Sequence, residues 1–250
     1  VKKTLFALLL ACVPVAVEAQ TTPGYYGSIG GNLSFITPFN GILDFTNQVR
    51  EDGGPVTRLN LNSTINFNTG YGANLAVGYK FAEPFRADLE FSYVNASVAS
   101  VSGNGATVPG IGSLSAFSVM VNGYYDNTDF ATSPLGFYIG GGLGLIVYNA
   151  EGIAFDDLPP PPGFGPLIIF GQVFDNPNDL TRKPPISSTS AVFAYQGKAG
   201  INYAFSESAV LNVGYRYQAT GQTLLKGSSL EFNTGNTSIN SVELGVRFAF

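Results

Sequence analysis

The stretch Ser241–Phe250, SVELGVRFAF, alternates without a break. Val242, Leu244, Val246, Phe248 and Phe250 fall on one face of an extended chain. Ser241, Glu243, Gly245, Arg247 and Ala249 fall on the other. Side chains on a strand alternate with period two, so one face here is wholly apolar and the other carries two charges. A soluble protein rarely leaves such a strand at an open edge, because that edge templates aggregation. A closed barrel pairs it instead. The pattern predicts the closing strand of a membrane barrel with its apolar face in lipid. Val246, Phe248 and Phe250 are then expected to be the C-terminal signature met by a barrel-assembly machinery.

The same period recurs along the chain. It predicts eight strands: Tyr25–Phe35, Tyr71–Phe81, Phe85–Val94, Leu114–Tyr125, Phe137–Tyr148, Ala191–Phe205, Ala209–Tyr217 and Ser238–Phe250. The third is the clearest. Phe85, Ala87, Leu89, Phe91 and Tyr93 share a face, and Arg86, Asp88, Glu90 and Ser92 share the opposite one. Outward faces assigned from apolar residues alone leave every strand charge inside: Lys80, Arg86, Asp88, Glu90, Lys198, Arg216, Glu243 and Arg247. Lipid explains the bias, since an outward Lys or Arg at the bilayer midplane costs roughly 2–4 kcal/mol. Eight strands leave just enough interior for side chains, and burial favours pairing of charges. The expected lumen is filled by ion pairs. Its five basic and three acidic groups would give any pore a weak preference for anions.

Connections alternate in length. Residues 36–70, 95–113, 149–190 and 218–237 are expected to be long outer loops, and residues 82–84, 126–136 and 206–208 short turns. That alternation is the pattern of outer-membrane barrels, with both termini on the short-turn, periplasmic side. Tyr71, Phe81, Phe85, Tyr93, Tyr125, Phe137, Tyr203 and Tyr217 sit at strand ends, where interfacial aromatic girdles form. The longest loop carries four consecutive prolines, Pro159–Pro162, which favour an extended piece, and the apolar Leu167–Phe170. It is the expected contact for a surface partner.

Residues 1–19 are expected to be a cleaved signal peptide. Lys2 and Lys3 precede the apolar run Leu5–Ala11, and Val17-Glu18-Ala19 places small residues before a cut. A lipoprotein reading of Leu9–Cys12 would leave a very short apolar run. Residues 20–250 would then be one all-β, eight-stranded, antiparallel up-and-down transmembrane barrel of the outer membrane, with no cysteine. The chain is acidic, at a formal net charge of −5, and has no basic cluster, so nucleic acid is a poor partner. It has no histidine, which removes Ser-His triads and His-ligated metals. The run Gly140–Gly144 has no following Lys-Ser/Thr and alternates as a strand, so it does not read as a phosphate loop. Glu151, Asp156, Asp157, Asp175 and Asp179 lack EF-hand spacing. No catalytic residue, metal or cofactor is expected, and lipid is the main expected partner.

Four stretches carry a family likeness: DLEFSY at 88–93, VMVNGYYD at 119–126, FYIGGGLG at 137–144 and AYQGKAGINYAFSESAVLNVGYRY at 194–217. They resemble the bacterial surface-antigen family of outer-membrane proteins, the rickettsial major surface proteins and their porin-like relatives. The resemblance implies an eight-stranded barrel with variable surface loops and a surface-antigen role, sometimes with porin or adhesive activity. It brings no catalytic residues and does not extend to residues 149–190. The expected function is structural and surface-exposed. The alternative is a narrow small-solute porin. A soluble, lipocalin-like carrier would need the two faces exchanged.

Overall fold

The computed structural model describes residues 23–45, 59–81, 84–103, 106–127, 133–155, 168–169, 172–173, 186–206, 208–226 and 230–250. Residues 1–19, expected to be a signal peptide, and Pro159–Pro162 lie outside the described residues.

Eight strands close a ring: β1 (Gly24–Ile36), β4 (Gly70–Lys80), β5 (Phe85–Gly103), β6 (Ala106–Asn127), β7 (Leu135–Phe155), β10 (Ile186–Ala204), β11 (Ala209–Thr220) and β14 (Thr237–Ala249). Each pairs antiparallel with the next, and β14 pairs with β1 from Tyr26↔Ala249 to Ile36↔Ile239. The alternating strand Ser241–Phe250 closes the barrel, and the Phe250 amide donates to the Tyr25 carbonyl at 3.0 Å.

The described residues hold six shorter strands besides: β2 (Phe39–Phe45), β3 (Leu59–Phe67), β8 (Ile168–Ile169), β9 (Gln172–Val173), β12 (Thr223–Lys226) and β13 (Leu230–Thr234). Apart from the small hairpin of β8 and β9, they extend the wall. β2 continues β1 after a two-residue break, β3 leads into β4, β12 follows β11, and β13 leads into β14. β2 pairs with β3 and β13, β3 with β5, and β12 with β13. The barrel therefore has a second storey.

This corrects the expected loops. The described residues of segments 36–70, 95–113 and 218–237 are largely strand, and only residues 104 and 105 separate β5 from β6. Their Ser, Asn and Gly content suggested turns. The second storey needs polar outward residues because it faces water, and so loses the lipid signature that marked the first.

β5 shows the change within one strand. From Phe85 to Tyr93 its outward residues are apolar or aromatic and exposed, and Arg86, Asp88 and Glu90 are buried inside. From Val94 onward the faces exchange character. Val94, Ala96, Val98 and Val101 are buried, and Ser97 is exposed. Nine residues of tilted strand span a bilayer core, and Phe85–Tyr93 supplies nine. The 19 residues of β5 are about twice that length.

Polar side chains on neighbouring strands link up along this boundary. Asn95 Nδ2 donates to Ser115 Oγ at 2.9 Å, and the Tyr93 hydroxyl meets the same Ser115 at 3.1 Å. Thr189 Oγ1 donates to Asn149 Oδ1 at 3.1 Å.

Among the described residues the register shifts all fall in the second storey, between Asn66/Phe67, Ser97/Ser100, Ile111/Ser113 and Ile186/Ser188. Bulges bend and twist a strand. At one of them Gly112 has φ +102°, and a Cβ there would lie 2.6 Å from the Gly152 carbonyl oxygen. Gly112→Ala is expected to destabilise the barrel by about 1–3 kcal/mol through backbone strain. Denaturant titration of the refolded protein measures it, and an unchanged midpoint would refute it.

Candidate functional site

The lumen is built in three levels. The first, nearest the short turns, holds Tyr26, Arg86, Asp88, Tyr124, Asp126, Tyr138 and Arg247, all buried. Arg86 Nε donates to Asp126 Oδ2 at 2.8 Å, and Arg86 Nη1 donates to the Tyr26 hydroxyl at 3.0 Å. Tyr26 in turn donates to Asp88 Oδ2 at 3.0 Å. Arg247 Nη1 reaches Asp126 Oδ2 at 3.3 Å. The Arg86 guanidinium also lies 3.6 Å from the centre of the Tyr124 ring, a cation–π contact strengthened by burial.

The second level is a quartet. Lys198 Nζ lies 2.5 Å from Glu90 Oε2 and 2.9 Å from Glu243 Oε2. Arg216 Nη1 lies 3.2 Å from Glu90 Oε1 and 3.2 Å from Glu243 Oε1. Gln196 Nε2 donates to Glu90 Oε1 at 3.3 Å and to Asn122 Oδ1 at 2.6 Å, and Asn122 Nδ2 donates to Asp88 Oδ1 at 2.8 Å. These bonds join the quartet to the level below.

Seven of the eight predicted lumen charges are brought together in this way. The eighth, Lys80, is half-buried at the short-turn end of β4, opposite Arg86. Asp126 joins the network although the sequence reading placed it in the turn 126–136. It belongs to β6, opposite Tyr138. The signal was available: Asp126 follows Asn122 and Tyr124 on the same face at spacing two. Its inclusion makes the buried set Arg86, Lys198, Arg216 and Arg247 against Asp88, Glu90, Asp126 and Glu243. The buried charges balance at four against four, and Lys80, opposite Arg86 on the same face, brings the lumen count to five against four, a smaller excess than five against three.

The third level is apolar; it fills the second storey and reaches down to Met120, opposite Glu90. Ile36, Phe39, Ile65, Val94, Val98, Val101, Leu114, Met120, Ile146, Tyr148, Ile153, Leu225 and Ile239 form one buried cluster. Ile36, Phe39, Ile65, Val98, Val101, Ile153 and Leu225 fall in the expected loops, Tyr148 on the expected inward face of its strand, and the other five carry no expected face. The physical reason is the exchange of faces at the membrane boundary, which turns the inward positions from polar to apolar.

The glycine run of β7 lets bulky neighbours fold over it. Gly140, Gly142 and Gly144 pair with Tyr124, Asn122 and Met120 of β6. A Cβ on Gly140 would strike the Tyr124 ring, and one on Gly142 would strike the Asn122 amide. Large side chains thus fill an interior that β7 leaves free. A cavity of about 50 Å³ lies in the charged levels, bordered by Arg86, Asp88, Glu90, Lys198, Glu243 and Arg247 among others. It has room for a few waters. No group of His, Cys, Asp and Glu suited to a metal ion occurs among the described residues.

The whole arrangement is a closed antiparallel barrel with charges inside and an aromatic-rimmed apolar belt outside. Residues 4–250 match the family model for the outer membrane protein beta-barrel domain. The chain belongs to this family. As an outer membrane protein beta-barrel, it resides in the bacterial outer membrane. It is similar to a candidate adhesin of Rickettsia conorii (strain ATCC VR-613 / Malish 7), 24% identical over 243 residues, covering 93% of this chain and 88% of the relative. Among solved structures it resembles outer membrane protein OprG from Pseudomonas aeruginosa, at TM-score 0.55 and 13% identity, covering 94% of this chain and 100% of that one. It also resembles Neisserial surface protein A, at TM-score 0.51 and 15% identity, covering 92% and 99%. At these identities the solved structures speak for the fold. The surface-antigen resemblance in the sequence agrees with this family.

Proposed function

We propose that this barrel is a structural, surface-exposed protein whose second storey and loops meet partners outside the cell, and that it neither conducts solutes in bulk nor catalyses a reaction. The observation that carries this reading is the apolar cluster across the second storey, with the neutral ion-pair network beneath it. A dry, close-packed core admits little besides its own side chains. Paired charges hold their partners instead of presenting a selective field to a passing ion. The absence of histidine from the sequence fits a non-enzymatic role, and a relative named as a candidate adhesin fits a surface role. In this reading the second storey points outward, and the chain joining β7 to β10 is the segment offered to a partner.

The alternative of a narrow porin draws on the cavity among the charges. Planar-bilayer recording of the refolded chain separates the two. The expected record is quiet, with insertion verified by heat-modifiable gel mobility. Discrete steps that change in Arg216→Ala would instead favour the porin. The adhesive part is tested by deleting residues 156–185. Undiminished binding to target cells would refute a role for that segment.

A further inference from the structure

The second storey has one seam. Among the described residues β12 hydrogen-bonds only to β13, although it lies against β10. The β10–β11 ladder ends at Ala194↔Thr220. Above that rung β10 pairs only with β7, through Phe193↔Leu145, Val192↔Ile146 and onward. Two strand edges therefore face each other without a ladder, directly above Thr220.

Unpartnered polar atoms collect at the foot of this seam. Buried polar groups are nearly always hydrogen-bonded, to protein or to ordered water. Yet Arg216 Nε and Nη2, Tyr148 Oη, Thr220 Oγ1 and Thr223 Oγ1, five of the eight such atoms among the described residues, are buried with no partner; the other three are Asn32 Nδ2 on β1, Asn74 Oδ1 on β4 and Glu243 Oε1 on β14. Arg216 and Tyr148 are fully buried, Thr220 is 3% exposed and Thr223 2%. Tyr148 reaches over beside Thr220 without closing a good hydrogen bond.

The placement is not random around the ring. On β5, β6 and β7 the inner face becomes apolar in the second storey, at Val94, Leu114 and Ile146. On β11 it stays polar to the end, through Asn212, Arg216, Gln218 and Thr220, and Thr223 continues it at the start of β12. Arg216 belongs to the quartet, which borders the cavity through Glu90, Lys198 and Glu243. A polar line thus leads from the cavity, past Arg216, to the seam, and the apolar cluster lies to one side of it.

We propose that this line is a hydrated track, giving water and water-sized solutes a side route between the charged cavity and the β10–β12 seam. The route leaves the apolar plug intact, so it is compatible with a quiet bilayer record and independent of any surface role. Val192 packs against the plug and Leu225 lies within it, so these two side chains flank the gap.

Silver ion, a water-sized thiol reagent, tests the route on the full refolded chain in vesicles. Thr220→Cys, Thr223→Cys and the plug variant Leu114→Cys are made in a Cys12→Ser background. Folding of each is checked by heat-modifiable mobility. Silver is expected to block the two threonine-site thiols about tenfold or more faster than the Leu114 site, as a hydrated pocket differs from a dry one. Adding Val192→Trp, which fills the gap, is expected to slow the block at Thr220→Cys while leaving the fold intact. Equal protection at all three sites would overturn the proposal. So would equally fast reaction at Leu114→Cys, or an unchanged rate with Val192→Trp.

Discussion

Glu90→Ala is expected to be among the most damaging single substitutions in the barrel, at about 3–5 kcal/mol, because it strands buried cations without a counter-charge. Glu90 binds Lys198 through one oxygen and Arg216 through the other. Its removal leaves Glu243 alone to serve both cations. Only 2% of Glu90 is exposed, so water cannot screen the excess charge. Denaturant unfolding of the refolded protein reads the loss. The companion variant Glu90→Leu/Lys198→Met removes one charge of each sign and leaves Arg216 facing Glu243. Buried pairs replaced by apolar residues are often neutral in stability, so this double variant is expected to recover most of the loss. A loss below about 1 kcal/mol for Glu90→Ala would match a solvated surface pair and would refute the picture of a buried, mutually dependent quartet.

That network was legible in the sequence to a definite depth. Period two placed Glu90, Lys198, Arg216 and Glu243 inside the barrel, because lipid excludes charge from the other face. Their partners were not legible. Pairing depends on which strands adjoin and in what register, and Lys198 meets Glu243 through β11, which stands between their strands. Asp126 was missed for a local reason: it sits near a strand end, where turn residues and strand residues look alike. The second storey was missed for a more general one. The reading rested on an apolar outward face, and that signature ends where the bilayer ends. Beyond Tyr93 the period persists, but its phase relative to hydrophobicity reverses, so Val94, Ala96 and Val98 look like scattered apolar residues within a polar stretch. The reversal itself was the available signal.

The same reversal yields the second large effect, a contrast between two sites on one strand. Leu89 and Ser97 both point outward from β5, and both are exposed. By exposure alone, arginine should be tolerated equally at each. Leu89 lies midway between Phe85 and Tyr93, in the centre of the apolar belt. Leu89→Arg is therefore expected to lower the folding free energy in a bilayer by roughly 2–4 kcal/mol. Ser97 lies beyond the exchange of faces, where its hydroxyl accepts a hydrogen bond from Asn68 Nδ2 at 2.9 Å. Ser97→Arg gives up that exposed bond and meets water, so it is expected to fold nearly as well as the parent. Reversible folding into thin phosphatidylcholine vesicles measures both. Repeating the Leu89→Arg measurement in detergent micelles, which deform around a charge, should shrink its penalty while Ser97→Arg stays unchanged. Equal penalties at the two sites in vesicles would mean that lipid covers the second storey as well. The apolar cluster inside it would then need another cause, because a wall bathed in lipid has no reason to hide its apolar residues and show its serines.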